Sequence, residues 1–305
     1  MHWKSRLSVK AYGMFATALF KPGTPPPVMR ARFERVGRVS REKLKRKYPS
    51  IQFEDHDFEG LHAESTRSVR QPVRVIMHLH GGAYVMGSSE SFRVRAKNLS
   101  YRGNAIVYMV DYRRSPEHTF PAALDDAQRA WSHIRRRHPE MPVCLSGDSC
   151  GGGLALSLMM RLRDENEVLP DAAILFSPWT DLANRGESYR YNADKDGWLT
   201  HAHTEQWAGY YLGGSEVTNP LISPLYGQFA GLPPLLFLVG GNEVLLDDTL
   251  VCVQKAREQG VNVQVEVGEG MTHDYPLSLP WLSESQEAWN LFQAFLTGHC
   301  TRATN

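Results

Sequence analysis

The sequence predicts an α/β protein built on a mostly parallel sheet covered by helices, and three observations carry that prediction. From Pro72 onward, short apolar runs alternate with helical stretches, the pattern of repeated strand–helix units. Several runs are apolar nearly throughout, as strands covered on both faces are. Glycine-rich or polar clusters follow them, where loops at the carboxyl ends of parallel strands gather functional residues. With 305 residues and 42% hydrophobic content, the chain can build one large core, or one domain plus a cap.

Residues 1–70 are polar and basic and read as helical or irregular. Ala11 to Phe20 is the longest apolar run there; it is too short to span a bilayer. With cations ahead of it, it bears a faint likeness to a signal peptide, without a convincing cleavage site. Tyr12, Phe15 and Leu19 recur at helical spacing, so a cap helix is expected. Arg30 to Lys47 is expected to form one helix, ended by Tyr48-Pro49. Val73 to Leu79 reads as a buried strand running into His80-Gly81-Gly82-Ala83-Tyr84. Ser91 to Tyr101 is a helix and Asn104 to Val110 a strand. The proline-marked stretch from Asp111 is a loop, followed by a helix from Ala122 to Arg137. Val143 to Leu145 is a strand and Leu154 to Arg163 a helix. Ala172 to Phe176, Pro234 to Val239 and Val261 to Val267 are further strands. A helix ending near Gln259 precedes the last strand, and Ser283 to Thr297 closes the chain as an amphipathic helix. Residues 183–225 break the alternation. Trp198, Trp207, Tyr210 and Tyr211 sit there among polar residues, the mark of an insertion.

Net charge is +1, which argues against a nucleic-acid binder. The balance is uneven: residues 1–50 hold 13 Lys and Arg against 2 Glu, a net of +11, which leaves −10 for the remainder. Pro22 and Pro25-Pro26-Pro27 interrupt that basic segment, so a solvated face is expected there rather than a membrane contact. Cys144, Cys150, Cys252 and Cys300 lie far apart with no C-x-x-C spacing. They argue against a zinc site and against a disulfide framework. Cys144, in an expected buried strand, and Cys150, in the elbow, are expected as free thiols, which implies a reducing, cytoplasmic setting.

The chemistry centres on Gly147-Asp148-Ser149-Cys150-Gly151, a G-x-S-x-G sequence between strand and helix. A serine on such an elbow is forced into a strained backbone conformation. Flanking glycines are required because a Cβ would collide with a neighbouring strand or helix. The following helix aims its N-terminal N–H groups at developing negative charge. A serine needs a base, and His273, in the loop after the last strand, is the best placed of 12 histidines. His201 and His203 form an H-x-H with no third ligand spaced for a metal, and His80 is expected to bond within its own loop. The orienting acid follows the penultimate strand. Glu243 fits, with Asp247 and Asp248 as competitors whose other role is that of acids at a helix N-terminus. Asp148 faces the wrong way for a relay. Ser149, Glu243 and His273 then stand in the chain order nucleophile, acid, base. Gly81, Gly82 and Ala83, with Cys150, offer backbone N–H groups for an oxyanion.

Taken together, these residues resemble the hormone-sensitive-lipase-like branch of the α/β-hydrolase superfamily. The resemblance covers about residues 70–300. It rests on His80 to Tyr84, on Asp111-Tyr112-Arg113 through Pro116-Glu117-His118 to Phe120-Pro121-Ala122-Ala123, and on Gly147 to Gly152. Ser177 to Leu182, Glu243 to Asp248 and His273 also fit. The resemblance implies an α/β-hydrolase fold with a helical cap. Residues 1–55 would supply the N-terminal cap segment, and residues 56–305 the catalytic domain with a cap insertion at 183–225. It implies a carboxylesterase acting on small, short- to medium-chain acyl esters, with Ser149 as nucleophile, His273 as base and Glu243 as acid. Gly82, Ala83 and Cys150 would hold the oxyanion. No metal, cofactor or integral membrane segment is implied, and a homodimer stays open. Three positions depart from the family pattern. Ala83 replaces a third glycine and serves if its backbone angles are ordinary. Cys150 replaces alanine and narrows the acyl side. Glu243-Val244 replaces Asp-Pro. Amidase, lactonase and deacetylase chemistry remain open on the same residues, as does ligand binding without catalysis.

Overall fold

The computed structural model describes residues 3–301. Its strands are β1 (Gln52–Asp57), β2 (His62–Arg67), β3 (Arg74–Leu79), β4 (Ala105–Val110), β5 (Val143–Asp148), β6 (Ala173–Phe176), β7 (Leu235–Gly240) and β8 (Val263–Gly268). The helices are α1 (Trp3–Leu19), α2 (Pro26–Gly37), α3 (Arg41–Lys47), α4 (Arg93–Gly103), α5 (Ala122–Arg137), α6 (Cys150–Asp164), α7 (Ser188–Tyr191), α8 (His201–Leu212), α9 (Leu246–Glu258), α10 (Tyr275–Ser278) and α11 (Ser283–His299).

The strands form one sheet in the order β1-β2-β4-β3-β5-β6-β7-β8. From β4 to β8 all neighbours are parallel, while β1 and β2 run antiparallel at one edge. Strands β3, β5, β6 and β7 are buried at every position. That explains their largely apolar sequences, because helices cover both faces. Leu154, Leu158 and Trp131 pack on one side of the sheet, and Phe292, Trp289 and Leu99 on the other. No helix among the described residues is long and apolar enough to cross a membrane.

Two expectations fail near the N-terminus. Residues 52–67 form a hairpin rather than irregular chain, so the sheet begins ahead of the boundary expected at residue 55. Its strands, Gln-Phe-Glu-Asp-His-Asp and His-Ala-Glu-Ser-Thr-Arg, carry the charges that keep an edge strand from pairing with other chains. Those charges hide a strand signal. Glu59 and Gly60 turn the hairpin with positive φ at both positions, the geometry of a type I′ turn. Glu64 becomes fully buried and is held by Arg93 and Arg41. The expected Arg30–Lys47 helix is instead two, α2 and α3. Ser40 separates them by accepting the Lys43 N–H at 3.2 Å as an N-cap.

α1 forms where a helix was expected, but only part of the expected face turns inward. Tyr12 donates to Ser278 Oγ at 3.1 Å, whereas Phe15 is 49% exposed. The Leu19 side chain lies outside the described residues. The chain between 183 and 226 is helical and irregular, without a strand. It meets the N-terminal segment directly. His203 Nε2 donates to the Phe20 carbonyl at 2.9 Å, and the Gly23 N–H to Gln206 Oε1 at 2.9 Å.

Candidate active site

Ser149 sits between β5 and α6 with φ +55° and ψ −126°, a conformation that strains an L-residue. The turn is tight. A Cβ on Gly147 would overlap the Gly151 carbonyl, and one on Gly151 would overlap the carbonyls of Leu79 and His80. Glycine is therefore required at both places, as the G-x-S-x-G pattern predicts. The first N–H groups of α6 have no intrahelical acceptor and face the serine's end of the helix.

His273 lies in the loop after β8 and Glu243 in the loop after β7, so both stand at the carboxyl edge of the sheet beside Ser149. His273 Nδ1 donates to Glu243 Oε2 at 2.8 Å. The other oxygen, Oε1, accepts from Ser177 Oγ at 2.6 Å and from the Gly240 N–H. Ser177, at φ +42°, in turn accepts the Asp274 N–H at 3.0 Å. This fixes the carboxylate and the imidazole together. His273 Nε2 is buried and has no hydrogen-bond partner. Asp247 lies elsewhere, accepting the Ser188 N–H at 2.8 Å and the Tyr191 hydroxyl at 2.6 Å. Asp248 accepts the N–H groups of Thr180 and Asp181, both at 2.8 Å.

Burial alone pushes His273 down, but Asp274 and Glu243 outweigh it and hold the imidazole up at about 9. Asp274, at φ +54°, has Oδ2 3.7 Å from Nε2. Burial raises its own carboxyl well above the ordinary range, while His273 and Arg95 oppose that rise. Asp196 lies in the same environment and is raised to about 6 by burial, against His273 and backbone donors. Its oxygens accept the N–H groups of Val244, Trp198 and Leu199.

Asp148 turns away from the histidine, as expected, but it is far from idle. It accepts from His78 Nε2 at 2.9 Å, from Arg95 Nη1 at 2.5 Å and from the Gly81 N–H at 3.0 Å. Burial raises its carboxyl, yet Arg95 and His78 prevail and hold it low. The bond to Gly81 corrects one sequence expectation. That N–H is engaged by Asp148 and is not available to an oxyanion, which leaves Gly82, Ala83 and Cys150 as candidate donors. His80 bonds within its loop as expected, Nδ1 to the Gly81 carbonyl at 2.7 Å.

Ala83 does not have ordinary backbone angles. Gly82, Ala83 and Tyr84 follow one another at φ +117°, +56° and +61°. Two non-glycine residues in that region are strained by about 1–3 kcal/mol each and need support. Tyr84 supplies much of it. Its ring stacks on Tyr211 at 3.7 Å, its N–H donates to Cys150 Sγ at 3.1 Å, and its carbonyl accepts the Ser115 N–H at 2.9 Å. The Cys150 side chain thus anchors the loop, and burial pushes its thiol up to about 12. From outside, Arg30 of α2 reaches the Val85 and Ser115 carbonyls at 2.7 and 2.6 Å.

The aromatic insertion divides between two tasks. Trp207 stacks on His203 within α8, while Trp198 lies with its ring 5.0 Å from that of His273. Trp198 also lines an apolar cavity of about 150 Å³ with Phe20, Phe33, Phe92 and Arg95. Sequence reasoning did not single out Ser177 or Arg95 for a role at the site. Asp274 was visible beside His273, but adjacency alone gives no direction to a side chain.

A family model described as the alpha/beta hydrolase fold matches residues 76–277. An acetyl-hydrolase of Streptomyces hygroscopicus is 40% identical over 235 residues, covering 77% of this chain and 79% of that protein. An esterase of Acinetobacter venetianus is 33% identical, covering 79% and 80%. Among solved structures, an esterase from the bacterial hormone-sensitive lipase family superposes with a TM-score of 0.88 at 32% identity, covering 98% of this chain and 99% of that one.

Proposed function

This chain belongs to the α/β-hydrolase family, in its bacterial hormone-sensitive-lipase branch of carboxylesterases, and on that premise we propose that it cleaves short- to medium-chain acyl esters through Ser149, His273 and Glu243. The observation that carries the proposal is the buried His273–Glu243 bond of 2.8 Å with Nε2 left unpartnered. A neutral imidazole fixed through Nδ1 has its lone pair on Nε2. It takes the Ser149 proton as Oγ attacks the ester carbonyl. The tetrahedral oxyanion is met by the N–H groups of Gly82, Ala83 and Cys150, each worth about 3 kcal/mol in such sites. His273 then protonates the leaving alcohol. In the second half it deprotonates water, which attacks the acyl-serine and releases the acid. Two observations support a short acyl chain. The cavity lined by Trp198, whose ring lies 5.0 Å from that of His273, has about the volume of five waters at about 30 Å³ each, and a relative 40% identical is named an acetyl-hydrolase.

The test is hydrolysis of p-nitrophenyl esters from acetate to dodecanoate, with Ser149→Ala beside the wild type. The rate is expected to peak at the short end and to fall at least about 10³-fold in the variant. Equal activity in the variant would remove Ser149 from the mechanism. Faster turnover of matched amides or lactones would move the assignment to the amidase or lactonase chemistry that shares these residues.

A further inference from the structure

We propose that the outward face of the N-terminal segment is a docking surface for an anionic lipid bilayer, with the mouth of the apolar cavity lined by Phe15, Val36 and Trp198 opening onto it. α1 carries no acidic residue. Its inward side, with Ser5, Gly13 and Ala16, is buried, and Ser5 and Tyr12 bond to Glu284 and Ser278 of the body. Its outward side presents Leu7, Ala11 and Met14, spaced so that they form one stripe, with Phe15 beside it. Leu7 is 60% and Met14 63% exposed. A soluble surface helix ordinarily turns polar residues outward, and this one turns apolar residues to both sides.

Cations flank the stripe. Arg6, Lys10, Lys21 and Lys195 line a cleft of about 670 Å³ that Met14 also borders, against one carboxylate, Asp194. None of the four is ion-paired among the described residues. An apolar helix face rimmed by Lys and Arg is what a monolayer of acyl chains beneath anionic headgroups accommodates. The cluster of Arg6, Lys10, Lys21 and Lys195 orients the same face toward such a surface. It also disfavours a second copy as the occupant, since two such faces would set like charges together. The apolar cavity supplies the reason for docking. Phe15 and Val36, 49% exposed each, stand at its outer end, and Phe92 and Trp198 line it further in. An apolar ester held in the bilayer then enters the cap without crossing water. The proline interruptions at 22 and 25–27 do not prevent this, because the exposed stripe is confined to α1, ahead of them.

The experiment is flotation of the full chain with vesicles of phosphatidylcholine and phosphatidylglycerol in equal parts, and with phosphatidylcholine alone. Wild type is expected to float with the anionic vesicles only, and less so as salt rises. Lys10→Glu with Lys21→Glu is expected to weaken partition at least about 25-fold, from about fivefold for each cation lost. Leu7→Ser with Met14→Ser is expected to weaken it while turnover of a water-soluble acetate ester stays at the wild-type rate, which reports an intact fold. Failure of the wild type to float with anionic vesicles overturns the proposal. So does equal flotation of the charge-reversed variant. So does a wild-type dimer that the Leu7→Ser/Met14→Ser variant dissociates, which would make the face a self-association surface. Flotation is read without turnover, so it stands apart from the assignment of the catalytic residues.

Discussion

Replacing Asp274 by Asn removes a carboxyl oxygen 3.7 Å from His273 Nε2 and leaves the side-chain shape nearly unchanged. In the proposed mechanism the base acts only as neutral imidazole. Asp274 and Glu243 both favour the imidazolium and hold the group at about 9 against burial. Other charged or titratable groups surround this pair: Asp196 from the segment between α7 and α8, Asp148 from β5, Arg95 from α4 and Tyr12 from α1. In the wild type kcat/KM is therefore expected to rise about tenfold per pH unit from pH 7 toward 9. A unit charge at 3.7 Å and an effective dielectric of about 20 interacts by about 4.5 kcal/mol, or about three decades of proton affinity. One proton is shared between Asp274 and His273, because burial also raises the carboxyl, so this figure is an upper bound. Asp274→Asn is expected to move the acid limb of the kcat/KM profile down by about one to three pH units. At pH 7 kcat/KM then rises at least about tenfold, and the plateau above pH 9 changes little. The assay is turnover of p-nitrophenyl butyrate across the pH range, with circular dichroism confirming the fold. An unchanged limb, or one displaced to higher pH, would refute the reasoning.

Two further predictions concern the acid and the oxyanion loop. Glu243→Gln is expected to lower kcat by about 10³-fold or more, since it withdraws the acceptor that fixes the His273 tautomer. Asp247→Asn is expected to change kcat less than about threefold, because its oxygens serve Ser188 and Tyr191. Steady-state kinetics on one short ester, with both variants side by side, decides between them. Cys150→Ala removes the acceptor of the Tyr84 N–H. A bond of about 1 kcal/mol corresponds to about fivefold, so kcat is expected to fall by that factor with KM nearly unchanged, as for a loosened oxyanion loop. An unaltered kcat would mean that Tyr211 and Ser115 hold the loop without the thiol.

The sequence alone determined the alternating core from β3 to β7, because strands buried on both faces must be largely apolar and the turns between them need glycine and proline; β8, only partly buried, showed instead as alternating valines. It also singled out Ser149, through a G-x-S-x-G sequence between strand and helix, while the overlaps that make Gly147 and Gly151 obligatory are tertiary. The hairpin of β1 and β2 was not legible. Its charges belong to an edge strand and to the buried Glu64, and no local pattern announces that Arg41 and Arg93 will arrive to meet it. At the site, spacing narrowed the acid to Glu243, Asp247 and Asp248, but only the tertiary structure brings one of them to His273 Nδ1. The angles at Ala83, the engagement of the Gly81 N–H by Asp148 and the approach of Asp274 to Nε2 were decided there as well. Each depends on where a side chain from another part of the chain comes to rest. Sequence periodicity fixes which face of an element turns inward. It does not fix which partner waits there.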